Sequence, residues 1–191
     1  MRNLTIPLLV YTAALALATP AAAQTLDASA RGEIEALRDG DMRKLAVLEA
    51  PAAAPDTVYL GPDGAETTLA GSDGKLRVVN FWATWCAPCR EEMPALEALQ
   101  AAFGGADFDV VLIATGRNSP EAIDRFFAEA GIDGLATGTD PTSALARAMG
   151  VPGLPVTVIL NREGAEIARL VGGADWNGAS AHAIVAALLE R

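Results

Sequence analysis

The chain has 191 residues, a formal net charge of −10 and a composition that is 51% hydrophobic. That length suits one domain with extensions around a single core. The acidic balance excludes the basic footprint of a nucleic-acid binder and a polybasic membrane patch, and two cysteines with one histidine cannot build the usual four-ligand zinc site without carboxylates.

The N-terminus reads as an address. Met1-Arg2-Asn3 carries one positive charge, an apolar run follows, and Pro20-Ala21-Ala22-Ala23 supplies the small residues of a cleavage site. Residues 1–23 are therefore expected to be a secretory signal cut between Ala23 and Gln24. An uncleaved membrane anchor is the competing reading, because residues 4–23 come close to the length a bilayer needs. Thr5, Pro7, Thr12 and Thr19 weaken it. No cysteine follows the run, which excludes a lipoprotein. On either reading the thiols are expected in the periplasm, where keeping them reduced needs an electron supply.

A helix is expected over 31–49, with Ile34, Leu37, Met42, Leu45 and Leu48 on one side and an interruption at Gly40. The Pro/Ala-rich stretch 50–55 reads as a linker. Residues 24–56 thus form a helical extension and linker, packed on the domain or spacing it from a membrane, and 57–191 form the main domain. Val58-Tyr59-Leu60 and Thr67-Thr68-Leu69, on either side of a turn at Gly61-Pro62-Asp63-Gly64, read as a hairpin. The near-continuous apolar run 78–82 predicts a strand buried on both faces. A helix over 88–103 follows, with a kink expected at Pro94. Residues 109–114 form the next buried strand. Ser119-Pro120-Glu121 opens a helix through Ala130, and Gly131 ends it. A weaker strand at 135–137 and a helix at 142–149, starting near Asp140-Pro141, come next. Strands at 156–160 and 165–171 flank a turn at 162–164, and a helix from Asn177 closes the chain. No internal repeat is present.

The chemistry sits in Trp82-Ala83-Thr84-Trp85-Cys86-Ala87-Pro88-Cys89, which holds both cysteines. A strand that delivers C-x-x-C to the first turn of a helix places a thiol beside unpaired N–H groups and the positive end of the helix dipole. Both favour the thiolate. Cys86 is expected at the helix mouth with its sulfur exposed, and Cys89 one turn further in. Pro88 suits the first turn because its missing N–H would be an orphan there. Thiols at i and i+3 can close a disulfide, and near a βαβ pattern a lone C-x-x-C reads as redox rather than structural metal.

This stretch resembles the thioredoxin superfamily, in particular its TlpA/ResA-like periplasmic branch, and the resemblance runs from about Val58 to the C-terminus. It implies an α/β thioredoxin fold, a central mixed sheet flanked by helices, with an N-terminal β-hairpin extension leading to Gly74-Lys75. Pro94 stands at the family's offset from its first cysteine. Pro155, in Val151-Pro152-Gly153-Leu154-Pro155-Val156, matches the proline that is cis and faces the C-x-x-C in such proteins. The backbone of Leu154 would then pair with an extended substrate. Trp85, Ala87 and Pro88 would complete the substrate-binding surface, while Trp82 belongs to the core. Cytoplasmic thioredoxins keep a buried acid where this chain has Asn80, which cannot act as a base near neutrality. Glu91 and Glu92 read as exposed helix charges, so no proton acceptor is assigned to Cys89. His182 reads as a surface helix residue rather than a copper ligand, and Trp176 carries no readable signal.

The resemblance implies a periplasmic thiol–disulfide oxidoreductase, a monomer acting as a reductant without cofactor or metal. Its partners would be disulfide-containing substrate proteins and a membrane electron donor. An oxidase or isomerase, or a protein that binds a metal-loading partner without turnover, are the alternatives.

Overall fold

The computed structural model describes residues 26–71 and 73–191; the expected signal or anchor at 1–23 lies outside them. Helix α1 (Ala28–Ala36) begins at Asp27, whose carboxylate accepts the Ala30 N–H at 2.8 Å. Gly40 takes a left-handed φ of +52° and opens a short 3-10 turn, Gly40–Lys44. The expected interruption is therefore present.

The continuation is not. Residues 46–53, expected to finish the helix and begin a linker, form strand β1 (Ala46–Ala53), antiparallel to β8 (Ala165–Val171). The open edge of β8 offers unpaired N–H and C=O groups, and satisfying them outweighs the modest helical preference of Ala, Leu and Glu. The register shifts between Val47 and Ala52, around Pro51, which has no N–H to give to a ladder.

The remaining elements follow the sequence, except that the weak strand expected at 135–137 forms at Thr137–Asp140. Strands β2 (Tyr59–Leu60) and β3 (Glu66–Thr67) form the hairpin, and Leu60 pairs with Thr139 of β6 (Thr137–Asp140). Gly138 permits that approach: a Cβ there would stand 2.6 Å from the Leu60 carbonyl oxygen. Strand β4 (Leu76–Trp82) leads to α2 (Ala87–Phe103), which runs through Pro94 as a single helix. Then come β5 (Phe108–Thr115) and α3 (Pro120–Ala130), with Ser119 Oγ accepting the Ala122 N–H and Gly131 left-handed at the end. Helix α4 (Ala144–Ala148) starts later than expected, because Asp140 reaches forward to accept the N–H groups of Ala144 and Ala146. Strand β7 (Val156–Leu160), β8 and helix α5 (Ala179–Leu189) complete the order.

Among the described residues the sheet has eight strands in the order β1-β8-β7-β4-β5-β6-β2-β3. Central β4 runs parallel to β5 and antiparallel to β7, so the sheet is mixed. The period of two along β4 divides the core. Val78 and Trp82 pack with Met93, Leu96 and Leu99 of α2, and Val79 and Phe81 pack with Leu145 and Met149 on the other face. Asn80 shares the face of Val78 and Trp82, beneath α2. The molecule has the α/β thioredoxin fold with an added hairpin at one sheet edge and an added strand at the other.

Candidate active site

Strand β4 ends at Trp82, whose ring is buried against Phe126 and Phe127 of α3, with Nε1–H donating to Thr137 Oγ1 at 3.0 Å. The three residues that follow turn the chain upward. Asn118 Oδ1 accepts both the backbone N–H and the hydroxyl of Thr84, at 2.8 and 3.0 Å. The Asn118 amide in turn donates to the carbonyls of Thr115 and Gly116, so the β5–α3 loop braces the loop that carries the cysteines.

Cys86 is the N-cap of α2, and its Sγ accepts the Cys89 N–H at 3.3 Å. The two cysteines are joined, S–S 2.03 Å. The sulfur of Cys86 meets the helix start as the sequence implies, but its expected exposure shrinks to a narrow opening: Cys86 is 6% exposed and Cys89 fully buried. Loop residues Ala83 and Thr84 and the cap geometry draw Cys86 into the core that also holds Cys89. Around that opening Trp85 is 66% exposed, and Ala87 and Pro88 are also exposed. The Leu154–Pro155 bond is cis. Leu154 packs against the hydrophobic cluster that includes both cysteines, while the Pro155 carbonyl accepts the Gly172 N–H at 2.9 Å.

Glu92 departs from its sequence expectation. It is 4% exposed, not the surface charge expected of it, whereas Glu91 does face solvent. Three residues after Cys89, it lies on the same face of α2. Its Oε1 accepts from Asn80 Nδ2 at 2.9 Å and its Oε2 from the Ala174 N–H at 3.0 Å. Asn80 also donates to Thr157 Oγ1 at 2.9 Å. Burial pushes the Glu92 carboxyl up to about 7, against the opposing pull of Asn80, the Ala174 amide, Trp176 and Lys44. Trp176, which the sequence left without a role, is 1% exposed. Among the described residues its indole N–H has no partner at hydrogen-bonding distance, yet it lies near enough to Glu92 to help hold its charge. The signal for Glu92 lay in the helix period. Cys89, Met93, Leu96 and Leu99 form the buried stripe of α2, and position 92 falls within it.

A carboxyl that is half-ionised near neutrality is suited to taking and returning a proton. A surface pocket of about 450 Å³ reaches it, walled in part by Asp41, Pro88, Gly173 and Asp175. A second cavity, about 650 Å³, lies against the hairpin and includes neither cysteine. His182 stands edge-on to Phe103 at the far end of α2, 5.2 Å between ring centres. Fourteen residues of helix separate Phe103 from Cys89, roughly 20 Å, which removes His182 as a co-ligand of the cysteines.

Comparison with known proteins agrees with this geometry. Residues 49–188 match the Redoxin family model. The chain is 36% identical over 131 residues to the thiol:disulfide interchange protein HelX of Rhodobacter capsulatus, a match spanning 67% of this chain and 69% of HelX. It is 35% identical over 105 residues to the thiol:disulfide interchange protein CycY of Rhizobium leguminosarum, spanning 55% of this chain and 54% of CycY. Among solved structures, the thiol:disulfide interchange protein DsbE of Chlorobium tepidum superposes with a TM-score of 0.63 at 26% identity, over 73% of this chain and 96% of that one. With a thioredoxin fold, a C-x-x-C disulfide at the mouth of α2 and these relatives, the chain belongs to the Redoxin family, as a TlpA/ResA-like thiol–disulfide oxidoreductase of the thioredoxin superfamily.

Proposed function

We propose that the protein is a periplasmic reductant of protein disulfides in which Cys86 attacks, Cys89 resolves and Glu92 takes the proton from Cys89. The observation that carries this reading is the buried Glu92 one turn beyond Cys89, held near a half-ionised state. In the reduced protein the Cys86 thiolate sits at the start of α2, where the N–H groups and helix dipole favour it. It attacks one sulfur of a substrate disulfide, and the other substrate sulfur leaves as a thiolate. Cys89 then gives its proton to the Glu92 carboxylate and attacks Cys86. The mixed disulfide breaks, the second substrate thiolate departs, and the Cys86–Cys89 bond closes. Two electrons have passed to the substrate.

Trp85, Ala87 and Pro88 supply the apolar contact around the opening, and the backbone at Leu154 and cis-Pro155 supports strand-like pairing with an extended segment. By resemblance to TlpA/ResA-like proteins, the substrates are oxidised cysteines of haem-attachment sites or of copper-binding proteins of respiratory oxidases. Re-reduction comes from a membrane electron donor. Residues 1–23 act as the export signal, and the mature protein works as a monomer. Among the described residues no helix is long and apolar enough to cross a membrane.

The test is trapping with Cys89→Ser in the native envelope, read on non-reducing gels with mass spectrometry. Adducts on Cys86 to a cytochrome apoprotein or a copper-site protein are expected. An absence of adducts beyond a Cys86→Ser control would sink the reductant reading.

A further inference from the structure

One peptide group lies between the acid beside the disulfide and a cation from the N-terminal segment. Lys44, at the end of the 3-10 turn, donates from Nζ to the Gly173 carbonyl at 2.6 Å. The N–H of that same peptide unit belongs to Ala174, and it donates to Glu92 Oε2 at 3.0 Å. The Gly173–Ala174 bond is trans, so carbonyl and N–H point to opposite sides: the ammonium holds one side and the carboxylate the other. A cation on a carbonyl polarises the peptide and strengthens the donation of its N–H, and hydrogen bonds in such a chain reinforce one another.

We propose that Lys44 is a positioning residue for Glu92, coupling the N-terminal segment to the redox centre through the Gly173–Ala174 peptide. The segment is anchored for the task. Met42 and Leu45, on either side of Lys44, are buried in the core cluster that contains both cysteines. The Asp39 N–H donates to Ser180 Oγ, whose hydroxyl donates to the Leu37 carbonyl, tying the turn to the start of α5. The peptide is thus gripped between a fixed turn and a fixed helix.

The charged and titratable groups that face this corner come from each surrounding element. Asp41 pairs with Lys44 at 2.9 Å, and Asp175 follows the shared peptide. Glu91 and, after reduction, Cys89 come from α2; Asn80 reaches up from β4. Lys44 is the cation in this set, so its loss leaves Glu92 among acids and weakens the Ala174 donation. Both changes disfavour the carboxylate, and proton uptake from Cys89 then requires a higher pH. The inference rests on the reading of Glu92 as proton acceptor.

The test compares Lys44→Met, Lys44→Arg, Glu92→Gln and the Lys44→Met/Glu92→Gln double variant by two readouts. One is the carboxyl ¹³C titration of Glu92, assigned by its loss in Glu92→Gln. The other is the pH profile for oxidation of the reduced protein by a small-molecule disulfide. Lys44→Met is expected to raise both midpoints by about half a pH unit, the size suited to a half-exposed and screened cation. Lys44→Arg keeps the charge and leaves both midpoints close to the wild-type values, and in the Glu92→Gln background Lys44→Met has no further effect on the profile. An unchanged Glu92 titration in Lys44→Met overturns the proposal. A shifted titration with an unmoved profile upholds the coupling and sinks Glu92 as proton acceptor. If Lys44→Met does not fold, Asp41→Asn frees Lys44 from its competitor and is expected to lower the Glu92 midpoint; a midpoint that stays or rises overturns the proposal.

Discussion

Two glutamates are equally buried, each 4% exposed, and the molecule treats them in opposite ways. Glu166 of β8 is met by the Arg169 guanidinium through two hydrogen bonds, at 2.6 and 2.8 Å. That pairing raises the Arg169 pKa, and Arg169 spends a further donor on the Met149 carbonyl. Among the described residues Glu92 has no cation in contact; its donors are an asparagine amide and a backbone N–H. Depth of burial is therefore not what makes a carboxylate reactive. The difference is whether a cation reaches it directly or only across a peptide. The first arrangement locks charge in place for structure, and the second leaves the proton able to move.

The contrast breaks most visibly by deleting the paired acid. Glu166→Ala leaves Arg169 without its bidentate partner and is expected to lower unfolding free energy by about 3 kcal/mol, less than a fully buried pair because the guanidinium is partly exposed. Denaturant titration at pH 7 measures it, and a loss no larger than that of an exposed ion pair would remove the contrast. Glu92→Gln should act on rate rather than fold. Resolution of a mixed disulfide by Cys89 is expected to slow by about 10²-fold near neutral pH, the lower end for loss of a general base, as read by stopped-flow quenching of tryptophan fluorescence.

The same substitution sharpens the comparison through pH. Glu92 binds its proton more tightly folded than unfolded, because its folded value is raised from 4.5 to about 7. Between those values the native state holds more protons, so stability is greatest below the unfolded value and falls as pH rises through 7. The predicted loss from pH 4.5 to 8, isolated as the difference between wild type and Glu92→Gln, is on the order of 2–3 kcal/mol. An identical pH dependence in the two proteins would show that Glu92 is not perturbed. The smallest effect is expected at Asn118→Ala, which removes the acceptor of both Thr84 hydrogen bonds and costs about 1–2 kcal/mol, measured by thermal melting of the oxidised protein.

How much of this was visible in the amino acids varies with the kind of signal. Strands β7 and β8 match their expected bounds because an apolar run, a turn and a second run leave little choice of register. The C-x-x-C is legible because the chain holds two cysteines, both in one specific setting, and Pro155 is legible through its place just before an apolar strand. Strand β1 is not. Ala46-Val47-Leu48-Glu49-Ala50-Pro51-Ala52-Ala53 has neither alternation nor β-branched enrichment, and only the edge of a strand more than a hundred residues away makes it extended. Glu92 is illegible for a different reason. Its position is on the buried stripe of α2, but a charged side chain there reads as polar until Asn80 and the Ala174 N–H are brought to it. Asn80 itself reads in the sequence as a missing acid, whereas in the fold it donates to one.

The strand added by the N-terminal segment has a consequence for solubility. Without β1, the outer edge of β8 would present a row of free N–H and C=O groups to every unfolded protein it encounters. Open edges of this kind template intermolecular sheets. Covering β8 with β1 moves the edge outward onto a strand that carries Pro51, small side chains and a break in register. A passing chain finds no continuous ladder there.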